Sequence, residues 1–111
     1  MVLIVEDEMD VAFLVQTILS AHDITSLVAS TREKALELLA GDKPDFALLD
    51  IWMGELGIQE FIAKLKNLAP NCKLVFMTAD GVLGRKLAEE HNGKLIKKPF
   101  ELTQLLEAVK D

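Results

Sequence analysis

Five short aliphatic and β-branched runs, at 2–6, 24–29, 45–50, 73–78 and 94–97, alternate with stretches whose apolar residues recur three and four apart. That alternation leaves few architectures open. Each run reads as a strand and each spacer as a helix that crosses back, so the sheet is parallel and the fold class is α/β. The helical stripes are Val11, Leu14, Val15, Ile18 and Leu19; Ala35, Leu38 and Leu39; Phe61, Ile62, Leu65 and Leu68; and Leu102, Leu105, Leu106 and Val109. Ser30 and Glu33 stand at capping-box spacing and predict a second helix from near Thr31, closed by Gly41 and Pro44. The fourth helix is the least favoured, because Gly81 and Gly84 each cost about 1 kcal/mol of helix propensity. That segment is expected to move more than the others.

At 111 residues the chain predicts one domain, 1–111, with a single core and no room for an output domain. Half of the residues are apolar and 27% are charged, a globular rather than disordered balance. A net charge of −6 argues against direct nucleic-acid binding, which needs clustered Lys and Arg on the phosphates. No apolar run approaches the roughly 18 residues of a membrane span, and Met1 leads straight into a strand without a leader. No membrane insertion and a cytoplasmic location are therefore expected. The single Cys72 cannot form an internal disulfide, in keeping with a reducing compartment.

The strand ends carry the chemistry. Val2-Leu3-Ile4-Val5 runs into Glu6 and Asp7, Phe46-Ala47-Leu48-Leu49 into Asp50, Leu74-Val75-Phe76-Met77 into Thr78, and Leu95-Ile96-Lys97 into Lys98 and Pro99. In open parallel sheets ligands sit beyond the carboxyl ends of the strands, so these groups are expected to converge. Carboxylates brought to about 4 Å repel by about 4 kcal/mol per pair at an effective dielectric of 20, so a pKa rises or a cation binds. The candidate ligands are all oxygens, which favours Mg²⁺, with Mn²⁺ second, over Zn²⁺. The plainer alternative is that Glu6 and Asp7 only cap the first helix.

These residues in this order resemble the receiver domain of two-component response regulators, from Val2 to Val109. The matches are Glu6-Asp7 after the first strand, Leu48-Leu49-Asp50-Ile51-Trp52-Met53, Thr78-Ala79, and Lys98-Pro99-Phe100. The resemblance implies a flavodoxin-like doubly wound (βα)5 sandwich with a five-stranded parallel sheet in the order 2-1-3-4-5. It implies that Asp50 accepts a phosphoryl group from a histidine kinase or phosphotransfer protein. Mg²⁺ would be held by Asp7, Asp50 and the Trp52 carbonyl, with Glu6 acting through a water. Lys98 would neutralise phosphoryl charge, and Thr78 would donate its hydroxyl to a phosphoryl oxygen. The peptide before Pro99 would often be cis. Output would pass through the face made of the fourth helix, fifth strand and fifth helix to a downstream protein, from a monomer or weak homodimer. The protein would be a phosphoacceptor rather than an enzyme.

Several positions depart from that pattern. Gly54 stands where proline is common, Gly57 comes one residue early with Ile58 in its place, and Leu95 replaces the aromatic that often rotates with the threonine. The segment from Thr78 to Lys98 is short. Among the remaining conspicuous residues, Trp52 reads as a loop residue partly covering the site. His22 and His91 read as helix-end residues, Cys72 as packing, Lys97 as facing away from the site and Asp80 as a solvated loop acid. Two other functions compete: a Mg²⁺-dependent small-molecule phosphohydrolase, and a pseudo-receiver that only binds. The hydrolase would need a second aspartate where Trp52 stands, and the intact Asp7, Asp50, Thr78 and Lys98 set argues against the pseudo-receiver.

Overall fold

The structure, a computed structural model, describes residues 1–53 and 57–110. Gly54, whose replacement of proline bears on the loop after Asp50, lies outside them. Five strands, β1 (Val2–Val5), β2 (Ser26–Ala29), β3 (Phe46–Asp50), β4 (Lys73–Thr78) and β5 (Lys94–Lys97), alternate with five helices. The helices are α1 (Met9–Ala21), α2 (Arg32–Leu39), α3 (Ile58–Leu68), α4 (Gly81–His91) and α5 (Leu102–Ala108). All strand pairs are parallel, in the order β2-β1-β3-β4-β5, as expected.

Side chains alternate across a strand, and the alternation sorts the core into two halves. Leu3, Val5, Ala47, Leu49, Leu74 and Phe76 pack toward α2, α3 and α4, where they meet Leu39, Phe61, Ile62, Leu65 and Leu87. Val2, Ile4, Phe46, Leu48, Val75, Met77 and Ile96 pack toward α1 and α5, against Val15, Leu19 and Leu105. Because both faces are covered, β1, β3 and β4 read as continuous apolar runs.

Local differences from the sequence reading have local causes. The second helix is capped by Thr31, whose side chain accepts from the Lys34 amide at 3.0 Å, and not by a Ser30–Glu33 box. Both hydroxyl residues suit a cap, and the backbone at Thr31, φ −137° and ψ 160°, has the extended cap geometry. The second strand begins at Ser26 rather than at 24, because the chain leaves α1 through a left-handed residue, Asp23, with φ 60°. Asp80 is not a solvated loop acid. Its carboxylate caps α4 by accepting from the Val82 and Leu83 amides at 3.2 and 3.1 Å, which helps that helix form despite its glycines.

Two glycines are required by close approach. A β-carbon on Gly93, next to left-handed Asn92, would sit 2.8 Å from the Leu74 carbonyl oxygen, so only glycine lets the short α4–β5 turn pass β4. A β-carbon on Gly84 would meet Leu95 Cδ1 at 2.6 Å and Thr78 Cγ2 at 2.7 Å. The sequence weighed Gly84 only as a weak helix former. In the fold its missing side chain is what seats α4 on β4 and β5.

Candidate functional site

Register places the site. Val5 pairs with Leu49, Asp50 with Met77 and Thr78 with Lys97, so Glu6, Asp50, Thr78 and Lys98 fall at one sheet edge. Connections run in opposite directions from β1 and β3, which makes the crevice between their ends the switch point where ligands bind in such sheets. Glu6, Asp7 and Asp50 meet there, each offering a carboxylate oxygen within 4.8 Å of the others. Strand parity also selects the fourth member. Lys98 follows Ile96 on the α1–α5 side, and its Nζ donates to Glu6 Oε1 at 2.5 Å and lies 3.9 Å from Asp50 Oδ2. Lys97 turns to the other side, where its aliphatic stem lies over Gly81, as the alternation predicts.

Asp50 is only 6% exposed, and its two oxygens have different surroundings. Oδ1 accepts from the Trp52 amide at 3.2 Å, while Oδ2 is the one nearer the ammonium. The Lys98 amide donates to the Thr78 carbonyl at 2.9 Å, tying the ends of β4 and β5, and the Lys98–Pro99 peptide is cis. Thr78 shares the edge but has the opposite parity. Its methyl is directed at α4, and its hydroxyl accepts from the Asp80 amide at 3.0 Å. Reaching the acidic crevice therefore requires the side chain to turn.

Glu6 is fully buried, and its Oε2 accepts only a long 3.4 Å bond from the Glu8 amide, so helix support is a minor part of its role. Burial foremost, and the Asp50 carboxylate beside it, push the Glu6 carboxyl up to about 7 against the pull of Lys98. A folded-state value above the unfolded one means the folded protein holds the proton more tightly. The stability Glu6 contributes is thus fully present below about 4.5 and lost as pH rises through about 7. Glu6→Gln should gain in thermal midpoint over the metal-free wild type as pH is raised from 4.5 past 7. A difference between the two that stays constant with pH would contradict this burial argument.

One residue at the site escaped the sequence reading. Arg32, at the first position of α2, is 3% exposed, and its Nη2 donates to the Ile51 carbonyl at 2.7 Å and the Asp50 carbonyl at 3.3 Å. Burial lowers its pKa, and the Asp50 charge opposes that shift. The signal was present but unread: a cation in the first turn of a helix opposes the macrodipole, a local conflict that tertiary contacts must resolve. Trp52, expected to cover part of the crevice, is 64% exposed. His22 caps the end of α1 with Nδ1 3.0 Å from the Ile18 carbonyl. His91 ends α4, bonded through Nε2 to Gln59 at 2.8 Å and through Nδ1 to Lys66 at 3.0 Å. Neither histidine is at the crevice.

The donor set fits a hard divalent cation: three carboxylates, all oxygen. Glu6 and Asp50 are buried and Asp7 is exposed, and the Lys98 ammonium and the Arg32 guanidinium are the cations that bear on them.

Comparison with known proteins agrees with this fold. Residues 2–110 match the family described as the response regulator receiver domain. Sporulation initiation phosphotransferase F of Bacillus subtilis is 26% identical over 111 residues, covering 98% of this chain and 90% of that protein. Response regulator MprA of Mycobacterium ulcerans is 29% identical over 95% of this chain, which spans only 46% of that protein. Among solved structures, the receiver domain of NtrX from Brucella abortus superposes with a TM-score of 0.86 at 27% identity, covering 96% of this chain and 92% of the other.

Proposed function

The chain belongs to the response regulator receiver domains, phosphoacceptors of two-component signalling, and on that premise we propose that Asp50 is the acceptor and Lys98 the phosphoryl-binding cation. The observation that carries the assignment is the meeting of Glu6, Asp7 and Asp50 within 4.8 Å beside the Lys98 ammonium. An Asp50 carboxylate oxygen attacks phosphorus in line, the bond to the donor histidine nitrogen breaks, and its electron pair leaves with the imidazole. Catalysis of such transfer is mostly positioning and charge neutralisation, which a fixed carboxylate and a fixed ammonium supply. Asp7, Asp50 and the Trp52 carbonyl would hold Mg²⁺, with Glu6 through a water. The ion, when bound, neutralises charge on the equatorial phosphoryl oxygens.

Thr78 turns from the Asp80 amide toward a phosphoryl oxygen, and because its methyl sits in van der Waals reach of Gly84, that movement is felt by α4. No aromatic rotor takes part, since Leu95 occupies that place on β5. The signal leaves through the α4–β5–α5 face to a downstream protein, after phosphorylation by a histidine kinase or phosphotransfer protein. No helix among the described residues is long and apolar enough to cross a membrane, which accords with a cytoplasmic protein. The hydrolase reading lacks the second aspartate, since position 52 is an exposed tryptophan.

Trp52 is the only tryptophan, so its fluorescence reports on this site alone. Titration with Mg²⁺ should change it saturably, and beryllofluoride, which mimics the phosphoryl group, should change it again only when the metal is present. Response to neither would return the chain to the pseudo-receiver class. Continuous release of phosphate from many monoesters would favour the hydrolase.

A further inference from the structure

Arg32 is a charged side chain placed in the protein interior beside a metal-binding crevice whose members do not include it. Burying a guanidinium carries a desolvation cost of several kcal/mol, so what it binds is informative. Its Nη2 bonds the carbonyls of Asp50 and Ile51, the two peptides that lead directly to the Trp52 carbonyl. The Trp52 amide in turn donates to Asp50 Oδ1. Arg32 thus holds the first two residues of the three-residue segment that carries the acceptor carboxylate and the backbone metal ligand. Its own position is fixed by the Thr31 cap at the start of α2.

We propose that Arg32 is a positioning residue for the metal and phosphoacceptor segment, clamping peptides 50 and 51 so that the Asp50 carboxylate and the Trp52 carbonyl face one cation. This rests on the receiver reading of the site. Coulomb's law alone predicts the opposite sign, because a nearby guanidinium repels Mg²⁺ and removing it should tighten metal binding. The clamp predicts that removing it loosens binding, because partners that orient metal ligands typically cost about 10–100-fold in affinity when lost.

The test is Mg²⁺ titration of Trp52 fluorescence in wild type, Arg32→Met and Arg32→Lys, with folding checked by circular dichroism. Arg32→Met should bind about tenfold more weakly, at the low end of that range. Arg32→Lys keeps the charge on a shorter, single ammonium and should bind at least about threefold more weakly, since lysine does not reproduce guanidinium geometry. It carries the test where the methionine variant does not fold. Unchanged or tighter Mg²⁺ binding in a folded Arg32→Met, or unchanged binding in Arg32→Lys, overturns the clamp while leaving the receiver reading intact. A wild-type protein without any Mg²⁺ response overturns both.

Discussion

Asp50→Asn is expected to take up no phosphoryl group from a small donor such as phosphoramidate, as read by intact mass, while wild type gains one in a Mg²⁺-dependent manner. The amide keeps the shape of the side chain and removes both the nucleophilic charge and one metal ligand. The same change should make the metal-free protein more stable. Asp50 stands within 4.8 Å of Glu6 and Asp7, offset by the Lys98 ammonium and in part by the Arg32 guanidinium. At an effective dielectric near 20, one such repulsion is worth about 3 kcal/mol, part of which Lys98 already cancels. A gain of at least about 1 kcal/mol, or roughly 4 °C in thermal midpoint, is expected at pH 8. It should shrink toward pH 5.5, because Glu6, held up to about 7, is then protonated and no longer repels. Phosphorylation of the asparagine variant, or a midpoint below that of wild type at pH 8, would remove Asp50 from the role assigned to it.

Gly84→Ala should destabilise the protein although it improves the helix. Alanine in a helix interior is favoured over glycine by about 1 kcal/mol. Here its methyl would lie 2.6 Å from Leu95 Cδ1 and 2.7 Å from Thr78 Cγ2. The leucine end can swing away, but the threonine methyl is one bond from its Cβ and yields only if the side chain rotates off its bond with the Asp80 amide or if β4 or α4 moves. Overpacking of this kind costs about 1–3 kcal/mol, so a net loss of about 1–2 kcal/mol is expected. Leu95→Ala removes half of the clash, so the two substitutions together should lose less than their sum by at least about 0.5 kcal/mol. Denaturant unfolding of the four proteins in the cycle measures this coupling. Strict additivity, or a more stable Gly84→Ala, would show that α4 is not seated on this contact. The same pair of variants asks whether Thr78 communicates with α4. If it does, Gly84→Ala should also alter the fluorescence response to beryllofluoride more than the response to Mg²⁺.

Much of the site was legible because strands end where apolar runs end. Asp50, Thr78 and Lys98 could be placed at one sheet edge from periodicity, and the parity of Lys97 and Lys98 followed from the two-residue repeat. What periodicity could not give was depth and direction across the edge. Thr78 lies at the right height yet faces α4, and Asp80 became a cap because the chain turns back at that residue. Ser30 and Thr31 are chemically equivalent as caps, and the fold places the cap at Thr31.

The order of elements, the parallel sheet, the two-sided burial and the identity of the acidic and basic groups were all determined by the sequence itself. They depend on local periodicity and on the chemistry of side chains, which neighbours in the chain already express. Only the tertiary structure decided that Glu6 would be buried enough to hold its proton near neutrality, that Gly84 would be a contact rather than a weakness, and that Arg32 would reach the segment after Asp50. Each of these depends on which atoms from distant parts of the chain share a small volume. Desolvation, steric exclusion and hydrogen bonding act through that proximity, which the order of residues does not display.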